Sequence, residues 1–207
     1  MSTITLYALP VSGHSHRVEL LLRMLDLPYD YVSVDNQRRK IDDFLQLNPW
    51  GQVPVLVDGE QVIADSNAIM VYLIKRYAPA SHWLPQDAVG AAQTQQWLGK
   101  AAGEVRYGPG SARLIKQFGV AEDYSAALAV TQRLLPHLEQ HLGSRQFLAT
   151  AQPTLADLAC YSYIAAAPEG GISLQPYPAI RQWLARIEKL PGFFSMPPLP
   201  LPDSAQG

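Results

Sequence analysis

Polar and apolar residues alternate over Thr3-Ile4-Thr5-Leu6-Tyr7, which predicts a strand with one covered face. Val18, Leu21, Leu22 and Leu25 then recur at helical spacing, and the pattern ends near Asp26-Leu27-Pro28. Tyr29-Asp30-Tyr31-Val32-Ser33-Val34 predicts a second strand. Strand, helix and strand in that order imply a parallel pair joined by a right-handed crossover. Residues 41–47 suit a short helix leading to Asn48-Pro49, and residues 53–57 and 61–64 suit a hairpin around Asp58-Gly59. A helix from Ser66 to Tyr77 closes this α/β stretch.

The texture changes after Ala78-Pro79, and no convincing strand follows. Residues 88–117 read as one long helix that Gly108-Pro109-Gly110 should kink or split. Leu128, Leu134, Leu135, Leu138 and Leu142 mark the next helix face. Pro153-Thr154-Leu155-Ala156-Asp157 is a strong helix start, with Thr154 as N-cap and Asp157 returning a bond to it. Ile180, Trp183, Leu184, Ile187 and Leu190 mark a last helix, closed by Pro191-Gly192. Beyond it Pro197, Pro198, Pro200 and Pro202 predict a tail that lies extended or stays mobile. The expected division is residues 1–78 as an α/β domain, 79–86 as a linker and 87–207 as an all-helical domain.

With 48 % hydrophobic and 16 % charged residues, the 207-residue chain should build a packed core. A net charge of −2 and only a short run, Arg38-Arg39-Lys40, give no electrostatic case for nucleic acid. No stretch reaches a membrane span, and the first residues lack a signal peptide's basic start and apolar run. The single Cys160 excludes an internal disulfide and fits a reducing compartment, so a cytoplasmic protein is expected. No metal site is expected.

One stretch conflicts with the strand pattern. Proline lacks the N–H that a sheet ladder needs, yet Pro54 sits inside Val53-Pro54-Val55-Leu56-Val57. A cis Val53-Pro54 bond would turn the backbone of Val53 outward, leaving its N–H and C=O for a peptide-like ligand. Asp65-Ser66 then opens a helix, where a carboxylate and unpaired N–H groups suit the two ends of an amino acid.

Asn48-Pro49-Trp50-Gly51-Gln52-Val53-Pro54 ahead of a hairpin, followed by Asp65-Ser66-Asn67-Ala68-Ile69, resembles the thioredoxin-like domain of cytosolic glutathione S-transferases. The helical remainder, with Thr154-Leu155-Ala156-Asp157 opening a central helix, resembles that family's second domain. The likeness runs from Ile4 to Phe194, and Leu9-Pro10-Val11-Ser12-Gly13-His14-Ser15-His16-Arg17-Val18 is most similar to serine-type classes such as phi, tau and theta. It implies a thioredoxin-like α/β domain plus an all-α domain, and an enzyme that uses glutathione as cosubstrate with no other cofactor.

By the same resemblance, Ser12 takes the place of the catalytic serine. A hydroxyl donating to the glutathione sulfur beside a helix N-terminus favours the thiolate, which is the nucleophile. Lowering the thiol pKa by about two units needs only about 2.7 kcal/mol. The competing reading makes Ser12 an ordinary N-cap, and Ser15 is a second candidate donor. His14 and His16 read as helix-start residues, and the cysteine that beta-class members carry near His16 is missing. Gln52, Val53 and Pro54 match positions that hold the cysteinyl unit, Asp65 and Ser66 those that hold the γ-glutamyl end, and Arg39 and Lys40 basic positions near the glycyl carboxylate. Asp65 stands where the family more often has Glu.

Trp50 is either an aromatic anchor at a dimer interface or a core tryptophan, and Cys160 is expected to be buried and inert. Tyr107 and Arg113 are candidates for an electrophile pocket, and Glu169 for facing a cleft. The resulting expectation is a homodimeric transferase joining glutathione to small hydrophobic electrophiles, with peroxidase activity as an extension. A non-catalytic glutathione-binding module and a glutathione-dependent disulfide reductase are the alternatives.

Overall fold

The computed structural model describes residues 4–202. They form two compact units, one through Ser81 together with Pro191–Pro197, the other from His82 to Leu190 together with residues 198–202. The segment Pro191–Pro197, expected in the helical domain, therefore packs with the first unit.

In the first unit, β1 (Ile4–Ala8), α1 (Gly13–Met24) and β2 (Tyr29–Ser33) form the expected crossover, with β2 parallel to β1. After a 3-10 turn at Arg38–Lys40 and α2 (Asp42–Leu47), the hairpin β3 (Val55–Asp58) and β4 (Gln61–Ala64) leads to α3 (Ser66–Tyr77). The sheet order is β2-β1-β3-β4, with β1–β3 and β3–β4 antiparallel. Thr3, placed in the first strand by its pattern, lies outside the described residues.

Alternation along β1 sends Ile4, Leu6 and Ala8 into one buried face. Tyr7 faces the other way and meets Phe44 of α2 at 6.3 Å between rings, beside Val34 and Val55. Asp58, at the end of β3, accepts hydrogen bonds from Tyr72 (2.8 Å) and Tyr77, which pins α3 to the hairpin. The strand predicted from Val53 begins instead at Val55, because Pro54 cannot donate to the ladder.

The second unit begins with α4 (Ala88–Lys100), whose chain continues through a π-helical stretch, Ala101–Gly110, into α5 (Ser111–Phe118). The break expected at Gly108-Pro109-Gly110 is a change of hydrogen-bond register, with Gly110 and Ser111 keeping right-handed helical dihedrals. Gly108 is there for close approach: a Cβ would lie 2.9 Å from Thr131 Oγ1 of α6 (Tyr124–Leu142). Helices α7 (Leu155–Ala165) and α8 (Pro178–Ile187) complete the unit. No helix among the described residues is long and apolar enough to cross a membrane.

The start of α7 follows the sequence pattern closely. Thr154 Oγ1 accepts from the N–H of Ala156, and Asp157 Oδ2 accepts from the Thr154 N–H at 2.8 Å. The other carboxylate oxygen, Oδ1, receives the Leu148 N–H and the Trp183 indole N–H, each at 2.9 Å. Asp157 thus ties α7, α8 and the loop before α7 together from a wholly buried position. Burial raises its carboxyl pKa, against the pull of those donors.

Candidate functional site

The register places the sequence-predicted groups together. Tyr7 pairs with Val55 and Val55 with Ala64, so the end of β1, the start of β3 and the end of β4 share one edge of the sheet. From that edge emerge the loop to Ser12, the Gln52-Val53-Pro54 turn and the Asp65-Ser66 helix start. Three segments far apart in sequence form one end of a single sheet.

Ser12 is the N-cap of α1, in extended backbone conformation, and its Oγ accepts from the Ser15 N–H at 3.3 Å. That bond uses an oxygen lone pair, so the Ser12 hydroxyl keeps its own proton to donate. The capping and thiolate-stabilising roles are therefore compatible, and α1's positive end lies beside the same oxygen. Ser15 is placed differently: it is 1 % exposed, and its Oγ accepts from the Leu9 N–H at 3.1 Å. It holds the loop rather than facing outward.

The Val53-Pro54 bond is cis, as expected from the sequence. No hydrogen bond joins the backbone of Val53 to another described residue. Asn48 braces the turn: its side-chain amide donates to the Gln52 carbonyl at 2.8 Å while its Oδ1 accepts the Trp50 N–H at 3.2 Å. Gly51 adopts φ +59°, and a Cβ there would lie 3.0 Å from the Arg39 carbonyl, so the 3-10 turn carrying Arg39 and Lys40 abuts this loop. Arg39 is half-buried and Lys40 exposed.

Asp65 caps α3 with Oδ1, which accepts the N–H groups of Asn67 (2.9 Å) and Ala68 (3.0 Å). The residue has φ 74°, left-handed backbone that is strained for anything but glycine. Asp65 is exposed, with Oδ1 occupied by the cap, and the Ser66 N–H lies at the open first turn of the helix. Ser66 itself is 4 % exposed, and its Oγ lies 3.3 Å from His14 Nδ1.

The remaining candidates separate. Trp50 is 83 % exposed, which removes the core-tryptophan alternative. Cys160 is buried, as expected, with Sγ 3.8 Å from the Trp97 carbonyl. Tyr107 lies exposed on the π-helical stretch, under the Arg106 guanidinium at 5.1 Å. Arg106 also pairs with Glu122 at 3.0 Å and thereby holds that carboxyl below the usual glutamate range. Arg113 has no exposed side-chain surface, and its Nε donates to Glu169 at 2.5 Å. Glu169 accepts a further bond from the Leu199 N–H at 3.1 Å. Arg113 is therefore enclosed in the second unit, while its partner Glu169 keeps 12 % of its side-chain surface exposed.

Sequence reasoning missed His14, Asn48, Arg17 and Asn67 as parts of this arrangement. Asn48 was findable, because Asn ahead of a turn commonly bonds the backbone two residues on. Arg17 is fully buried and donates from Nη1 to Asn67 at 3.2 Å. No local signal could pair it with a residue 50 positions later.

A four-stranded thioredoxin-like unit with a helical unit after it defines a two-unit class of protein. The family model described as "Glutathione S-transferase, N-terminal domain" matches residues 6–81, and "Glutathione S-transferase, C-terminal domain" matches residues 105–191. The chain belongs to the glutathione S-transferase family. Glutathione S-transferase 3 of Zea mays is 30% identical to it, with 99% of each chain covered. A maleylpyruvate isomerase of Ralstonia is 32% identical, covering 94% of this chain and 96% of its own. A glutathione transferase homologue from Drosophila mojavensis, solved with bound glutathione, superposes with a TM-score of 0.83 at 30% identity, covering 92% and 90%.

Proposed function

We propose that this chain binds glutathione at the sheet end and conjugates it, through its sulfur, to small hydrophobic electrophiles. The observation that carries the reading is the register that brings Ser12, Val53-Pro54 and Asp65-Ser66 to one edge. The Val53 backbone pairs with the cysteinyl unit, with Gln52 beside it. Asp65 Oδ2 takes the γ-glutamyl ammonium, and the Ser66 N–H and hydroxyl take its carboxylate. Arg39 and Lys40 face the glycyl carboxylate.

Held this way, the thiol meets the Ser12 hydroxyl. A hydrogen bond from that hydroxyl to sulfur stabilises the thiolate once the thiol's own proton has passed to solvent; sulfur then attacks the electrophilic carbon, forming a thioether as the carbon–halogen bond of an aromatic halide breaks and halide leaves. The Ser12 hydrogen bond strengthens as charge gathers on sulfur, so it acts on reactivity more than on ground-state binding. Electrophile choice belongs to the second unit, where Tyr107 offers an exposed aromatic face.

Because Ser12 also caps α1, a second reading makes it structural and the protein a non-catalytic glutathione binder. Ser12→Ala separates the two. Turnover of a simple aromatic halide should fall about ten- to a hundredfold, with the bound thiol's pKa rising and glutathione affinity kept. Unchanged turnover and thiol pKa would remove Ser12 from the chemistry.

A further inference from the structure

Ser66 and Asn67, the first two residues of α3, are each held by a side chain from α1. His14 Nδ1 lies 3.3 Å from Ser66 Oγ, and Arg17 Nη1 donates to Asn67 Oδ1 at 3.2 Å. His14 and Arg17 are three residues apart and so share one face of α1. Within the first two turns after its N-cap, Ser12, helix α1 is thus tied to two adjacent residues at the start of α3.

The His14 contact has a chemical consequence that the Arg17 contact lacks. A serine hydroxyl owns one proton. If Ser66 spends it on His14 Nδ1, the hydroxyl turns only lone pairs outward and repels an anion. If instead His14 carries a proton on Nδ1 and donates it, the Ser66 O–H is left to donate to a carboxylate. Ser66 is nearly buried, so water competes little for the choice.

We propose that His14 is a positioning residue that sets the Ser66 hydroxyl as a donor to the γ-glutamyl carboxylate. The inference rests on the carboxylate-binding role of Ser66 proposed above. It extends the site to a residue that touches no substrate, and joins the thiolate end of α1 to the carboxylate end of α3. Asn is the informative replacement, because its amide nitrogen sits near the place of Nδ1 and can donate. Leu fills similar space and cannot.

The test is glutathione affinity by calorimetry and steady-state kinetics on the full chain carrying His14→Leu, His14→Asn, Ser66→Ala or His14→Leu with Ser66→Ala. His14→Leu should raise both the glutathione Kd and KM about fivefold while kcat at saturating glutathione stays within about twofold. His14→Asn should recover most of the lost affinity. The double variant should bind no more weakly than Ser66→Ala alone, since both changes remove one unit. The preference for glutathione over its analogue lacking the γ-glutamyl carboxylate should shrink in His14→Leu, a change that mere loosening of the helix would not make. If Ser66→Ala weakens binding while His14→Leu does not, or if the two losses add, the role of His14 is overturned and the carboxylate site stands. If Ser66→Ala has no effect, the hydroxyl takes no part in holding the carboxylate and the role of His14 falls with it, leaving only the backbone N–H part of the carboxylate site.

Discussion

Asp65 carries two duties on one carboxylate. Its Oδ1 caps α3 through Asn67 and Ala68, and the residue accepts φ 74° to do so. Backbone strain of this kind costs about 1–3 kcal/mol and persists where the surroundings or a function require it. Asn caps a helix about as well as Asp and, having the same shape, meets the same backbone strain. Asp65→Asn should therefore change the unfolding free energy measured with urea by no more than about 0.5 kcal/mol, while glutathione affinity falls about tenfold as the ammonium loses its counter-charge. A large loss of stability with affinity intact would reverse the assignment of its two duties. Ser12 shows the same economy, with a lone pair for the cap and a proton for sulfur.

Helix starts explain most of what is special among the elements. α1, α3 and α7 each begin at a side-chain cap, on Ser12, Asp65 and Thr154 respectively. The first two are solvent-reaching and turn toward the candidate site, whereas the third is sealed. Asp157 satisfies donors from Leu148, Thr154 and Trp183 in a place with no water to replace it. Asp157→Ala should cost about 3–5 kcal/mol, measured by urea unfolding, because it orphans these buried donors together with the cap. A loss below about 1 kcal/mol would show that the donors find other partners. The capping box was legible in Thr154-Leu155-Ala156-Asp157, but the indole of Trp183, 26 residues later, was not. Likewise Gly108-Pro109-Gly110 announced an irregular helix. Local pattern did not tell a change of hydrogen-bond register, which already begins at Ala101, from a break.

At the scale of the whole molecule, Trp50 stands out as a large aromatic residue with 83 % of its surface exposed, on the loop Asn48 holds in place. Aromatic residues of this kind dominate interface energetics when buried by a partner. We expect the chain to sediment as a two-chain species. Trp50→Ala should weaken that association at least about thirtyfold, from a loss of about 2 kcal/mol or more. Sedimentation of the wild type as a single chain at micromolar concentration would refute the dimer.

The sequence by itself determined the order of the elements, the division into an α/β unit and a helical unit, and the interruption at Pro54. Those depend on periodicity, proline and capping residues, which act over a few positions. Tertiary structure decided which groups meet. The sheet register brought the segments that carry Ser12, Val53 and Asp65 to one end of the sheet, the α1–α3 face paired His14 with Ser66, and burial enclosed Arg113. It also folded Pro191–Pro197 back onto the first unit, where Arg23 stacks 4.0 Å over Phe194 and His16 lies 2.9 Å from the Phe194 carbonyl. Contacts across 50 to 178 residues leave no mark on local pattern, because their energy exists only after the chain has closed around them.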